Sequence, residues 1–174
     1  MKILAFAASN SSQSINKKLI QYTATLFQEH EVEVIDINDY EMPIYSTDRQ
    51  IANGIPPLAI TLGQKIDSSD LIVISFAEHN GSYSTAFKNI FDWLSVIKDR
   101  KTWGEKNMFL MATSPGPRGA IGVLEMAEKR FPFNGGHVIA TFSFPSFAAN
   151  YKEDEGIILE AKKHELLSII ERIS

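Results

Sequence analysis

Five short apolar segments, separated by stretches with helical spacing, limit the folds that this chain of 174 residues can adopt. Each segment is four to six residues long and is continuous rather than alternating, which is typical of β-strands covered on both faces. The segments are Ile3–Ala7, Val32–Ile35, Leu71–Phe76, Met108–Ala112 and Val138–Phe142.

The stretches between these segments carry apolar residues three and four positions apart, which predicts helices with one buried face. The stripes cover Ile15–Leu26, Leu58–Ile66, Phe87–Leu94, Val123–Arg130 and Leu159–Ile173. Strict alternation of strand and helix predicts a parallel sheet between two helical layers, joined by right-handed crossovers. We therefore expect an α/β flavodoxin-like sandwich whose five strands take the order 2-1-3-4-5, the order resting on fold analogy.

Length and composition predict a single domain over residues 1–174, without linkers or repeats. The net charge of -4 argues against a nucleic-acid surface, and no apolar run is long enough to cross a membrane. The absence of cysteine suits a reducing compartment, and the apolar run at Ile3–Ala8 is too short for a secretory leader. We expect a cytoplasmic protein with neither nucleic-acid nor membrane partners.

The longest irregular stretch predicted from the sequence is Asn38–Pro57. Loops of this length in compact domains are often functional, although a plain surface connection is the alternative.

Ligands of open α/β sheets bind beyond the carboxyl ends of the strands, where the strand order reverses. Three loops rich in Ser, Asn, Gly or Pro follow the first, third and fourth strands, at Ala8–Ser14, Ala77–Ser84 and Thr113–Ala120. The first loop runs into a helix, whose free N–H groups and dipole favour a phosphate. Its candidate contacts are Ser9, Ser11, Ser12, Ser14, Ile15 and Asn16. Ordinary capping of the helix by Ser12 or Ser14 is the alternative interpretation.

Competing motifs are absent. The chain has no P-loop sequence, and Gly116, Gly119 and Gly122 have the wrong spacing for a dinucleotide fingerprint. It also lacks the Gly-x-Ser-x-Gly elbow of Ser hydrolases, and His30, His137 and His164 show no metal-ligand spacing.

The second loop and the helix after it resemble the NADPH-dependent FMN reductase family, whose usual string is Pro-Glu-Tyr-Asn-x-Ser-x-x-x-x-Leu-Lys-Asn-x-x-Asp-Trp. The residues in register are Glu78, Asn80, Ser82, Lys88, Asn89, Asp92 and Trp93. The first loop is similar to the family's Gly-Ser-x-Arg-x-x-Ser-x-Asn through Ser9, Ser14 and Asn16, and the third carries a Ser-Pro-Gly form of its turn. Together with the segment Met42–Tyr45, the match spans most of residues 1–125.

This resemblance implies that the chain binds one FMN through backbone groups of three loops. The ring would lie between the second loop, at Ala77, Glu78, His79, Asn80 and Gly81, and the third loop, at Ser114, Pro115 and Gly116. Hydride would pass from NADPH or NADH to N5 of FMN in a ping-pong cycle, and then to a flavin, quinone, azo compound or metal oxyanion. Homodimers or homotetramers are the family expectation.

The departures from the family pattern that matter for the site are Ala8 for Gly, Ser11 for Arg, Ala77 for Pro and His79 for Tyr. The change at Ser11 removes a charged phosphate contact, so weaker FMN binding is expected.

The roles of three further side chains are open. His79 would stack on the ring or protonate it, unless it is an ordinary solvated loop residue. Arg118 would meet the 2′-phosphate of the nucleotide, or else point into solvent. Trp93, with Phe87 and Phe91, is interpreted as core or subunit interface rather than cofactor contact.

Two alternatives use the same fold without catalysis. A flavodoxin-type electron carrier would usually be more acidic than this chain, because such carriers dock on basic partners. A redox-silent flavin-sensing module is suggested by the changes at Ser11, Ala77 and His79.

Overall fold

Five parallel strands form the central sheet of the computed structural model, which describes residues 1–174. They are β1 (Lys2–Ala8), β2 (Glu31–Ile35), β3 (Leu71–Phe76), β6 (Lys106–Thr113) and β7 (Gly136–Phe144). Two antiparallel hairpins join β4 (Glu78–His79) to β5 (Ser82–Tyr83) and β8 (Tyr151–Lys152) to β9 (Gly156–Ile157). The sheet order β2-β1-β3-β6-β7 confirms the predicted order 2-1-3-4-5 once the hairpin strands are left out.

Six α-helices lie between strands, and a seventh follows the last strand. They are α1 (Ile15–Leu26), α2 (Thr47–Asn53), α3 (Pro57–Ser68), α4 (Thr85–Ser95), α5 (Ile121–Arg130), α6 (Phe147–Asn150) and α7 (Glu160–Ile173). Five of them confirm the predicted stripes, whereas α2 and α6 were not predicted because each is too short to show an apolar period. None of the helices combines the length and the apolar character that crossing a membrane requires.

The prediction of irregular structure throughout Asn38–Pro57 is wrong in part. A 3-10 turn covers Ile37–Tyr40, and α2 begins after Ser46, whose hydroxyl oxygen accepts a hydrogen bond from the Arg49 N–H at 3.2 Å. No residue of α2 is buried, so the capping serine was its main sequence signal.

Two hydrophobic cores lie on the two faces of the sheet. The larger packs α3, α4 and α5 against it, around Phe76, Phe87, Trp93, Trp103 and Phe131. The smaller packs α1 and α7 against the other face, around Leu19, Phe109, Phe142 and Leu166. Because helices cover both faces of the sheet, the loops that follow the strands meet at its carboxyl edge.

The prediction that all five strands are covered on both faces is wrong for the two outermost strands. No residue of β2 is buried, and buried residues of β7 are interrupted by exposed or half-buried ones. An edge strand of a twisted sheet receives less helical cover, so its residues are less buried than a continuous apolar run predicts.

Candidate functional site

A cleft of about 300 Å³ lies where the loops after β1, β3 and β6 meet. The strand order reverses between β1 and β3, so the cleft lies at the switch point of the sheet. Ten of the predicted site residues line it: Ser9, Ser11, Ser14, Ile15, Asn16, Ala77, Glu78, His79, Ser114 and Pro115. Two lining residues that were not predicted are Gln13 and Thr113, and five predicted ones lie outside the lining: Ser12, Asn80, Gly81, Gly116 and Arg118.

Serine hydroxyls shape the first loop by accepting hydrogen bonds from its own backbone. The Ser9 oxygen accepts from the Ser11 N–H at 3.4 Å, and the Ser11 oxygen accepts from the Gln13 N–H at 3.2 Å. The Ser14 oxygen caps α1 by accepting from the Lys17 N–H at 3.2 Å. These internal hydrogen bonds hold the loop in shape, and the hydroxyl hydrogens remain available as donors.

Several backbone N–H groups of the first loop have no acceptor within the protein. Those of Ser12, Ser14, Ile15 and Asn16 donate to neither a backbone nor a side-chain group. Capping by Ser14 therefore satisfies one donor of the helix start and leaves a cluster of others free. Such a cluster, at the positive end of a 12-residue helix, fits a phosphate.

The lysines in the first turn of α1 are already paired with carboxylates. Lys17 donates to Asp36, and this hydrogen bond lowers the pKa of Asp36 below its ordinary value. Lys18 pairs with Glu153 of the β8–β9 hairpin. With Ser11 in the loop as well, an anion there would be held by amides, hydroxyls and the helix dipole rather than by a free cation.

Asn16 takes part in the site mainly as a support. Its side-chain amide donates to the Thr113 carbonyl at 3.2 Å. Its oxygen accepts from the Ser75 hydroxyl at 2.7 Å and from the Thr113 N–H at 3.1 Å. The residue is only 3% exposed, so this side chain fixes the start of α1 against β3 and β6. Only its backbone N–H remains available to a ligand.

The second loop is a tight hairpin rather than an open loop. Asn80 and Gly81 form its turn with φ angles of 52° and 75°, as a two-residue type I′ turn requires. Asn-Gly is the usual sequence signal of such a hairpin, so this element could have been predicted. The turn carries Asn80 and Gly81 out of the cleft, whereas the exposed His79 stays in its lining.

The third loop is supported from behind by the start of α6. The Ser114 carbonyl accepts from the Phe147 N–H at 3.1 Å, and the Gly116 carbonyl accepts from the Ser146 N–H at 2.9 Å. Gly119 has a φ of 57°, and a Cβ there would lie 2.5 Å from the Ser143 hydroxyl, so only glycine fits. Arg118, in contrast, is exposed and lies outside the cleft.

The polar signature on α4 holds the segment before α2 in place. The Asn89 side chain donates to the Met42 carbonyl at 3.0 Å and accepts from the Tyr45 N–H at 2.8 Å. The Trp93 indole donates to the Pro43 carbonyl at 2.7 Å. Trp93 is 1% exposed, which confirms its predicted place in the core.

Sequence similarity to known proteins covers most of the chain. A sequence model of the family described as NADPH-dependent FMN reductase matches residues 1–149. An NADPH:quinone oxidoreductase of Arabidopsis thaliana is 28% identical over 120 residues, which cover 67% of this chain and 59% of that protein. An NADH:(hydroxy)cinnamate reductase subunit of Vibrio ruber is 26% identical over 121 residues, covering 69% of this chain and 57% of that protein. The chain therefore spans about 60% of the length of these curated relatives.

Solved structures show the same fold. The flavoenzyme NAD(P)H:(acceptor) oxidoreductase FerB from Paracoccus denitrificans has a TM-score of 0.79 at 23% identity, covering 98% of this chain and 93% of that one. An FMN-dependent NADH-azoreductase from Bacillus anthracis, solved in complex with FMN, has a TM-score of 0.70 at 15% identity, covering 99% of both chains. At these identities the likeness confirms the flavodoxin-like architecture.

Proposed function

The chain belongs to the NADPH-dependent FMN reductase family, and we propose that it is an oxidoreductase that binds one FMN in the cleft. In this proposal it carries reducing equivalents from NADPH or NADH to a small acceptor. The expectation of an FMN cofactor with a nicotinamide donor is confirmed at the level of the family.

The observation that carries the proposal is the group of free N–H donors at Ser12, Ser14, Ile15 and Asn16. A terminal phosphate would satisfy donors that nothing in the protein satisfies, and the cleft beside it is bounded by the loops after β3 and β6. FMN has this combination of one phosphate and one planar ring.

The proposed mechanism assigns binding and orientation to the protein. The first loop would hold the phosphate, while backbone groups of Ala77, Glu78 and His79 on one side and of Ser114 and Pro115 on the other would orient the ring. The bound flavin would supply two-electron redox chemistry between nucleotide and acceptor. In this proposal no side chain of the cleft is required to act as an acid or base, and the exposed His79 in the lining would contact the ligand.

The acceptor class rests on the relatives. A quinone is the first candidate because the Arabidopsis thaliana relative is named for quinone reduction, with flavins, azo compounds and metal oxyanions as further candidates. Arg118, exposed in the third loop, is the candidate contact of the 2′-phosphate that separates NADPH from NADH. A cytoplasmic homodimer or homotetramer is proposed from the family alone.

Anaerobic reduction of the reconstituted protein tests the proposal most directly. The purified chain is mixed with FMN, its visible spectrum is recorded, and NADPH or NADH is added without oxygen. We expect a bound flavin whose absorbance bleaches, followed by steady NAD(P)H oxidation when a quinone is supplied. Free FMN with the same nucleotide is the matched control.

Other outcomes would favour the alternatives. Bound FMN that neither nucleotide reduces, but that accepts electrons from a chemical reductant, would indicate an electron carrier. Bound FMN that neither the nucleotides nor a chemical reductant reduces would favour a flavin-sensing module. The absence of flavin binding would contradict the reductase, the electron carrier and the sensing module alike.

A further inference from the structure

Helix α5, which follows the third loop, begins without a cap of its own. Ala120 precedes it in a left-handed conformation with a φ of 56°, and no side chain of the adjoining residues caps its N–H groups. Its first turn also contains no acidic residue that would complement the helix dipole. The Ile121 N–H donates to the Arg118 carbonyl at 3.2 Å, but no nearby side chain caps the next N–H groups of α5.

Glu78 of the second loop supplies the missing partner. Its carboxylate oxygen Oε2 accepts a hydrogen bond from the Val123 N–H at 3.1 Å, which is the third residue of α5. The same oxygen lies 3.2 Å from where a Cβ on Gly122 would be. The carboxylate is thus packed against the first turn of α5, where its charge is complemented by the dipole.

This contact joins the two walls of the cleft. Ala77, Glu78 and His79 line one side, and Ser114 and Pro115, in the loop that leads to α5, line the other. Glu78 is also the only carboxylate among the lining residues, so the helix start compensates a charge that would otherwise repel an anionic ligand.

We propose that Glu78 is a positioning residue: its carboxylate caps α5 and so fixes the spacing of the two loops that hold the flavin ring. The inference rests on the proposed function, because it assigns the ring to this cleft. It concerns the side chain of Glu78, whereas the ring contacts proposed above use backbone groups.

Replacement of Glu78 tests both halves of this inference. In flavin-free Glu78→Ala, the Val123 amide loses its acceptor, and we expect its hydrogen exchange to accelerate about tenfold. FMN and riboflavin should both bind about tenfold more weakly, because the ring rather than the phosphate is affected. Glu78→Gln keeps an acceptor oxygen without the charge and should recover most of the loss. Glu125→Ala, at an exposed carboxylate of the same helix, is the matched control.

Gly122→Ala tests the spacing while the carboxylate is kept. The added methyl lies 3.2 Å from the Glu78 oxygen, so the carboxylate or the loop has to shift by a few tenths of an ångström. We expect a displaced visible band of bound FMN relative to wild type, with the helix itself no less stable because alanine favours helices over glycine.

The results separate the inference from the proposed function. Faster Val123 exchange with unchanged FMN and riboflavin affinity and an unchanged flavin spectrum would overturn the inference, leaving Glu78 as a structural cap. Unchanged Val123 exchange in Glu78→Ala would overturn it as well. A wild-type protein that binds neither flavin overturns the proposed function first, and this inference with it.

Discussion

The first loop and helix α4 both carry letters of the family signature, yet their polar groups are used in opposite ways. The first loop leaves the N–H groups of Ser12, Ser14, Ile15 and Asn16 without protein acceptors. On α4, Asn89 and Trp93 bond to the segment Met42–Tyr45, and Lys88 pairs with Asp92 at 2.7 Å. The first-loop motif leaves donors available to a ligand, whereas the polar groups of the α4 motif are bonded within the protein.

The comparison shows that the polar residues of a sequence motif can either bind a ligand or support the fold. Polar groups that are unsatisfied at a surface cleft indicate a binding function, whereas polar groups bonded within the fold indicate support. The string on α4 was therefore informative about the family, but Asn89 and Trp93 hold the segment Met42–Tyr45 and do not line the cleft. The predictions below test this distinction between ligand-binding groups and supporting groups, because some residues of each region differ from the rest of that region.

Asn16 should show the largest effect, although it belongs to the first-loop motif. In Asn16→Ala, the Ser75 hydroxyl and both backbone groups of Thr113 lose their buried partner, which should destabilise the protein by about 3 kcal/mol or more. Urea denaturation measures the loss. Asn10→Ala, at an exposed residue of the same loop, should change stability by less than about 0.5 kcal/mol. Equal losses in the two variants would contradict the supporting role of Asn16.

Tyr83, just before α4, is one of three residues with a buried polar side-chain atom that has no hydrogen-bond partner. It is 8% exposed, its hydroxyl has no partner, and burial raises its pKa to about 12. In the unfolded chain the Tyr83 hydroxyl ionises near its ordinary pKa of 10.0, so it loses its proton in the unfolded state first as pH rises. Stability should accordingly fall by up to about 3 kcal/mol between pH 10 and 12.

Tyr83→Phe provides the control for this pH dependence. The variant lacks the ionising hydroxyl, so its stability should fall less steeply over the same range. The remaining slope has a cause in Tyr40 and Tyr151, whose pKa values burial also raises. At pH 7 the variant should be as stable as wild type or up to about 1 kcal/mol more stable, because an unsatisfied buried hydroxyl is removed. Identical slopes in denaturation series would show that Tyr83 is not responsible.

The sheet could be predicted from the sequence because its central strands are continuous apolar runs. β3 was predicted at its observed bounds, Leu71–Phe76. The short helices could not be predicted from apolar spacing. Helix α2 has no buried face, and α6 contains four residues, so neither shows an apolar period. The cleft lining was also largely predicted, since loops after neighbouring parallel strands must meet. The contacts of Asn16 and Glu78 could not be, because they join residues 97 and 45 positions apart.

Asn89 tests the supporting class on α4. In Asn89→Ala, the Tyr45 N–H and the Met42 carbonyl lose their side-chain partner, while the Pro43 carbonyl keeps its hydrogen bond from the Trp93 indole. We expect a loss of about 2 kcal/mol in the free energy of unfolding. FMN affinity should stay within about twofold of wild type, because none of these groups lines the cleft. Lys88→Ala, which removes only an exposed ion pair on the same helix, should cost less than about 0.5 kcal/mol. Weaker FMN binding without destabilisation would move Asn89 into the ligand-binding class.

Ile15→Pro tests the ligand-binding class at the first position of α1. Proline removes one free N–H of the first loop, and it is favoured at this helical position because its φ is already suitable. The preceding Ser14 has a ψ of 117°, which is compatible with a following proline, so stability should change by no more than about 1 kcal/mol.

The expected loss in this variant is confined to the phosphate. An amide bonded to a phosphate contributes about 1.4 kcal/mol or more, so FMN should bind about tenfold more weakly to Ile15→Pro, while riboflavin, which has no phosphate, should bind as it does to wild type. Ile15→Val keeps the N–H while trimming the side chain, and its FMN affinity should match wild type. Fluorescence titration with both flavins measures the difference. An equal loss for FMN and riboflavin would place the effect in the loop's shape, and the free amides at the start of α1 would then no longer distinguish this region from α4.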